Sequence, residues 1–250
     1  MSYTSFLIVC PLVLLAGFVD AIGGGGGLIS LPAYLIAGLP AHRAIATNKL
    51  SSTCGTSLAT FRFAKQKLIH WKMALPSVAA GITGSWCGAH LSLMVDTRIL
   101  TKILYVILPV TAVFVLRKDV LRDSSETVWN DHRTMFIAAL ISLVIGMYDG
   151  FYGPGTGTFL IIAYSLFAKM DVRSANGQCK AVNLSTNVTS LIVFLRSGQT
   201  VITLGLAAAA CNMIGAWLGA GMALKAGSKI TRPIIILVLF LLLLKILGVY

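Results

Sequence analysis

A chain of 250 residues that is 57% hydrophobic and only 11% charged lies far from the roughly 25% charged residues of soluble domains. An ordinary soluble enzyme or binding module is excluded. The net charge of +12 would suit nucleic acid, but Lys and Arg sit mostly in short stretches between apolar runs, as orientation signals do. Residues 73–95 and 200–224 contain no Asp, Glu, Lys or Arg, which is spanning length. No alternating ten-residue strands suggest an outer-membrane barrel. The composition predicts an all-α polytopic membrane protein.

In chain order, the opening run MSYTSFLIVCPLVLLAGFVD has no basic n-region and no small-residue cleavage pattern, so a retained first span over 4–22 is expected rather than a signal peptide. Five consecutive glycines, Gly23 to Gly27, follow. Segments are then predicted over 27–38, 43–63, 73–95 and 99–116. A polar stretch, KDVLRDSSETVWNDHR at 118–133, leads to segments over 134–151, 156–168, 174–195, 200–224 and 232–249. Those at 27–38 and 156–168 are short against the about 20 residues of a crossing, and are expected to be half-helices or re-entrant.

The second set echoes the first. Gly17, Asp20, Gly24 and Gly26 match Gly146, Asp149, Gly153 and Gly155 at a constant offset of 129. Further on the offset becomes 131: Lys49 falls on Lys180, Phe63 on Phe194, and GSWCGA (84–89) on GAWLGA (215–220). Matching charged, glycine and tryptophan positions point to two homologous halves: a first repeat over 1–117, a linker at 118–133 and a second repeat over 134–250. Eleven Lys and Arg lie in the stretches 62–72, 117–133 and 225–232, against three (Arg98, Lys102 and Arg196) in the alternating loops. The positive-inside rule makes the first set cytoplasmic. Five segments per half then place both termini outside and invert the second repeat. Inverted repeats with broken helices are the architecture of secondary transporters.

Helix N-termini expose backbone N–H groups that attract anions, and glycines let an oxyanion come close to them. Gly24, Gly25, Gly26, Gly27, Gly153 and Gly155 are therefore candidate anion-binding positions, with close helix packing as the rival use. Asn48, Ser52, Thr56 and Thr60 recur every four residues on one helical face, beside Lys49; Lys180, Asn183 and Asn187 occupy the places of Lys49, Ser52 and Thr56 in the second half. Hydroxyls in membrane helices often only bond back to their own carbonyls. Lysines at a helix centre cost about 2.5–3.5 kcal/mol on insertion scales, and two at matched positions predict a wet, anion-accepting cavity. Asp20 and Asp149 are candidates for proton coupling, for pairing with those lysines, or for capping the next half-helix.

The motifs GFVDAIGGGGGLISLPAYLIAGLPAHRAIATNKL and YDGFYGPGTGTFLIIAY, with the two-half layout and the length, resemble the TauE/SafE sulfite exporter family, its YfcA-like members most of all. The resemblance implies transport of sulfite, sulfonates or related organic anions across the bacterial inner membrane. Pro154, Thr156 and Thr158 interrupt the second glycine loop, so the two loops need not contribute equally.

The expected function is a secondary transporter of small sulfur-containing or other organic anions; the alternative is a passive anion channel. Beyond a small anion and the lipid bilayer no partner is expected, nucleic acid is excluded, and homo-oligomerisation stays open. An enzyme is disfavoured: no GxxxxGK[ST] and no nucleophile–base–orienter set occurs. His42, His70, His90 and His132 have no paired metal spacing, and the five cysteines have no CxxC spacing, so neither metal nor cofactor is expected and the cysteines read as small packing residues.

Overall fold

The computed structural model describes residues 3–96 and 132–226, together with 99, 229–231, 233–234 and 237. The segments expected at 99–116 and 232–249, and the linker at 118–133, lie almost wholly outside these residues. Among the described residues there are eight helices and no strand: α1 Tyr3–Gly23, α2 Gly27–Ile36, α3 Ala41–Lys65, α4 Trp71–Met94, α5 His132–Phe151, α6 Thr156–Phe167, α7 Val172–Arg196 and α8 Ile202–Ala226. The lengths run 21, 10, 25 and 24 residues, then 20, 12, 25 and 25.

Helices α1, α5 and α8 are long and apolar enough to cross a membrane. Helix α4 matches them in length, but Gly81, Gly84, Gly88 and its alanines and serines make it less apolar. Those small residues have a packing use. A Cβ at Gly84 or Gly88 would strike the Leu143 or Met147 carbonyl of α5, and one at Gly215 or Gly219 would strike the Leu14 or Phe18 carbonyl of α1. The recurring GSWCGA and GAWLGA motifs are thus two small-residue seams that bring backbones together.

Both seams join helices from opposite halves. Helix α4 packs on α5, α8 on α1, α3 on α8, α4 on α7, and α3 crosses α7; exchanging the first four helices for the last four maps each of these pairs onto another or onto itself. The apolar clusters are correspondingly mixed. One joins Val19, Leu28 and Met73 to Leu160, Tyr164 and Val182; another joins Val9, Leu31 and Tyr34 to Tyr152, Phe194 and Leu204. Neither half has a core to itself.

Helices α1 and α2 are broken from one another by the glycine run, and α5 and α6 by residues 152–155. Gly24 and Gly25 take φ of 75° and 82°, and Gly153 and Gly155 take 98° and 84°, the left-handed region where a Cβ is penalised. The short expected segments are therefore separate half-length helices, each begun by a loop that only glycine adopts without strain.

Candidate functional site

The two breaks meet at the centre. A Cβ at Gly24 would run into the backbone of Gly157 and Thr158, and the Thr158 hydroxyl donates to the Gly23 carbonyl at 2.8 Å. The loops are stacked back to back, so Gly24 serves packing between loops.

Around them α3 and α7 contribute the polar face. Lys49 Nζ donates to Asn187 Oδ1 at 3.0 Å, and Thr60 Oγ1 donates to the Lys180 carbonyl at 3.0 Å; early residues of one helix meet late residues of the other, so the two run antiparallel. Hydroxyls off the four-residue stripe are local: Ser51, Thr53 and Ser57 bond back to carbonyls three or four residues earlier. Thr60 crosses instead to the neighbouring helix.

The lysines pair across the halves. Lys49 of α3 lies 2.8 Å from Asp149 of α5, with side chains only 2% and 3% exposed, and Lys180 of α7 lies 3.9 Å from Asp20 of α1, with 0% and 23% exposed. Lys180 Nζ also donates to the Asp20 backbone carbonyl. Asp20 meets its glycine loop at the residue before α2, and Asp149 meets the first residue of α6. Asp20 Oδ1 accepts from the Gly26 N–H at 3.1 Å, and Asp149 Oδ1 accepts from the Thr156 hydroxyl at 2.8 Å. Both carboxylates pair with a lysine, but only Asp20 also accepts from a backbone N–H, that of the residue before α2. Two ammonium groups and two carboxylates cancel, and burial of such a set holds only while every charge keeps its partner.

Lys49, Asp20 and Asp149 border a cavity of about 20 Å³, room for a water but not for an organic anion. Asp20, Gly27, Asn48, Lys49, Ser52, Asp149, Gly153, Gly155, Asn183 and Asn187, all candidates from the sequence, line it. Gly24, Gly25, Gly26 and Lys180 do not: Gly24 is held in the loop stack, Gly26 donates to Asp20, and Lys180 is turned toward Asp20. Thr56, Thr156 and Gly157 complete the wall. Thr56 was legible from the four-residue period, whereas Thr156 stood in the sequence only as an interruption of the second glycine loop. Among the described residues no apolar side chain lines the cavity, and Asn48 Oδ1, in a residue 7% exposed, has no hydrogen-bond partner there.

The remaining motifs are structural. His42 Nε2 lies 2.9 Å from the Ser92 carbonyl, His90 Nδ1 lies 2.8 Å from that of Trp86, and the thiol of buried Cys179 donates to the Gly157 carbonyl at 3.3 Å. Among the described residues no three His, Cys, Asp or Glu side chains group to hold a metal.

A bundle of apolar helices with two broken elements and an ionised, water-sized centre defines a class, the polytopic membrane proteins built around a polar core. Within it the chain belongs to the TauE/SafE family, described as "Sulfite exporter TauE/SafE", whose profile matches residues 9–246. It is similar to "Probable membrane transporter protein ORF9" of Sinorhizobium sp, with 33% identity over 98% of this chain and 92% of the relative. To "Probable membrane transporter protein YfcA" of Escherichia coli K12 it is 30% identical over 95% and 90%, and to a "Probable membrane transporter protein" of Haemophilus influenzae 30% over 90% and 88%. The family and these relatives carry the names of exporters and transporters, not of enzymes. No solved structure matches.

Proposed function

We propose that the protein is a secondary transporter that carries small sulfur-containing anions, sulfite or short sulfonates, across the inner membrane, with the crossed Lys–Asp pairs as its binding and coupling centre. The observation that carries this reading is the pairing itself: Lys49 with Asp149 and Lys180 with Asp20 join matched residues of opposite halves. Any movement of one half against the other must remake both bridges. The antiparallel course of α3 and α7 agrees with inverted repeats over 1–117 and 134–250, and the basic loops with a cytoplasmic linker at 118–133 and both termini outside.

In this reading the centre is closed and neutral, and the anion competes with the aspartates for the lysines. The longer bridge at 3.9 Å, with Asp20 23% exposed, opens first. A proton taken by Asp20 removes the charge that pairs with Lys180 and so admits the second charge of a dianion, while Lys49 stays anchored by Asp149 and Asn187. The two half-helix N-termini add roughly one positive charge, so the centre suits a monoanion; a dianion requires a proton on one aspartate. A wall without apolar side chains favours a compact oxyanion over one with an alkyl tail. A cavity of about 20 Å³ favours a carrier with an occluded state over an open channel.

Uptake into proteoliposomes of sulfite, short sulfonates and carboxylates, with and without a pH gradient, tests this. Saturable, gradient-driven uptake of sulfite or a sulfonate is expected. Non-saturable flux indifferent to the gradient makes the protein a channel, and uptake confined to carboxylates removes the sulfur-anion assignment.

A further inference from the structure

On the flank where α4 packs against α7 lies a second cavity of about 430 Å³, far larger than the central one. Helix α4 supplies Ile82, Trp86, His90 and Leu93 at successive turns, and α7 supplies Thr189, Ile192, Val193 and Arg196. Ile82, Trp86 and Ile192 are 42%, 54% and 46% exposed, so the groove opens sideways, toward what would be lipid in a membrane.

Its length and polarity are graded. From Ile82 to Leu93 is a rise of about 16 Å along a helix, close to the about 15 Å depth of one leaflet of the hydrocarbon core. The walls along that distance are mostly apolar, broken by Thr189 and the exposed His90, and exposed Arg196 adds a positive charge at the C-terminal end of α7. Arg196 is the last residue of α7, and His90 is stacked on Trp86 with ring centroids 4.3 Å apart.

The matching seam between α3 and α8 shows what is missing. There Arg62 lies over the Trp217 ring, its Cζ 4.3 Å from the centroid, and donates to the Trp217 carbonyl. At the same offset of 131, Trp217 corresponds to Trp86 and Arg62 to Val193. Val193 in place of the arginine puts no guanidinium over the tryptophan; Trp86 has the tilted His90 ring beside it instead and is 54% exposed.

We propose that this groove is a binding site for an anionic phospholipid, one acyl chain lying along α4 and α7 and the headgroup phosphate on Arg196. A guanidinium suits a phosphodiester because it can donate two parallel charge-assisted hydrogen bonds. The apolar walls supply the rest of the recognition, since an aqueous anion gains nothing from Ile82 and Ile192.

The test uses the purified full chain in detergent, stripped of lipid, with phosphatidylglycerol or phosphatidylcholine of identical acyl chains added back. Native mass spectrometry and thermal unfolding are the readouts. Phosphatidylglycerol is expected to be retained as a one-to-one adduct and to raise the unfolding temperature more than phosphatidylcholine. Arg196→Gln should cut its retention at least fivefold, and Ile192→Trp, which fills the groove from an exposed position, should reduce retention of both lipids. Equal retention of the two lipids overturns the proposal, as does unchanged retention in both variants. So does equal stabilisation by inorganic phosphate, or a self-associated form that Ile192→Trp dissolves while lipid retention stays the same.

Discussion

Lys49 meets Asp149 at 2.8 Å in near-complete burial, whereas Lys180 stands 3.9 Å from an Asp20 that is 23% exposed. The residues correspond one for one between the halves, yet the surroundings differ. Asn187 accepts a hydrogen bond from Lys49; Lys180 is held instead by the Asp20 backbone carbonyl. Asp149 bonds a threonine hydroxyl, and Asp20 a glycine N–H in the loop itself. The difference teaches that an internal repeat can supply two copies of a charged pair and still give them different surroundings. One copy is a closed structural bridge, and the other is a looser bridge already in contact with its surroundings.

The largest effect tests the closed bridge. Lys49→Met leaves Asp149 charged and buried without its partner, a loss of about 3–5 kcal/mol; chemical denaturation in detergent should record it, along with loss of transport. Adding Asp149→Leu should recover much of the stability but none of the transport.

Next comes the place where the two loops touch. Gly24→Ala forces a side chain into the left-handed region, about 1–2 kcal/mol, and against the Gly157–Thr158 backbone, a further about 1–3 kcal/mol of overpacking. Gly38, with φ of 88° and open space around it, should show only the first cost in Gly38→Ala. Equal unfolding midpoints for the two variants would mean that the loop stack contributes nothing.

The looser bridge should tolerate more. Lys180→Met leaves an Asp20 that keeps the Gly26 N–H and partial exposure, so folding is expected to survive better than in Lys49→Met. Anion affinity should still fall more than tenfold, about 1.4 kcal/mol, as read by isothermal titration. Unchanged affinity would take Lys180 out of the binding centre.

The smallest effect at the optimum, and the sharpest on the comparison, belongs to the carboxylates. Asp20→Asn should flatten the pH–rate profile of transport while leaving peak affinity within a few fold. Asp149→Asn should alter stability more than the profile. Identical profiles in both variants would mean that the difference in surroundings has no bearing on transport.

Much of this was legible in the sequence because the signals are local or repeated. Charge-free runs 73–95 and 200–224 mark helices for want of any other way to satisfy a backbone in lipid. The glycine run and its GPGTG echo mark two helix breaks. The constant offsets pair Asp20 with Asp149 and Lys49 with Lys180. A four-residue period places Asn48, Ser52 and Thr56 on one face.

Partners across the bundle were another matter. Nothing in the sequence states that Lys49 reaches the aspartate of the other half, that Gly24 is spent on the Gly157 backbone, or that Lys180 bonds the Asp20 carbonyl and does not line the cavity. Nor does it state that Arg62 covers Trp217 while Trp86 has His90 beside it. Helical periodicity reports which face a residue occupies, but the identity of the facing helix depends on how seams of small residues such as Gly84 and Gly215 let distant backbones approach. That is a property of the packed bundle, because ion-pair and van der Waals energies depend on distance in space and carry no record of separation along the chain.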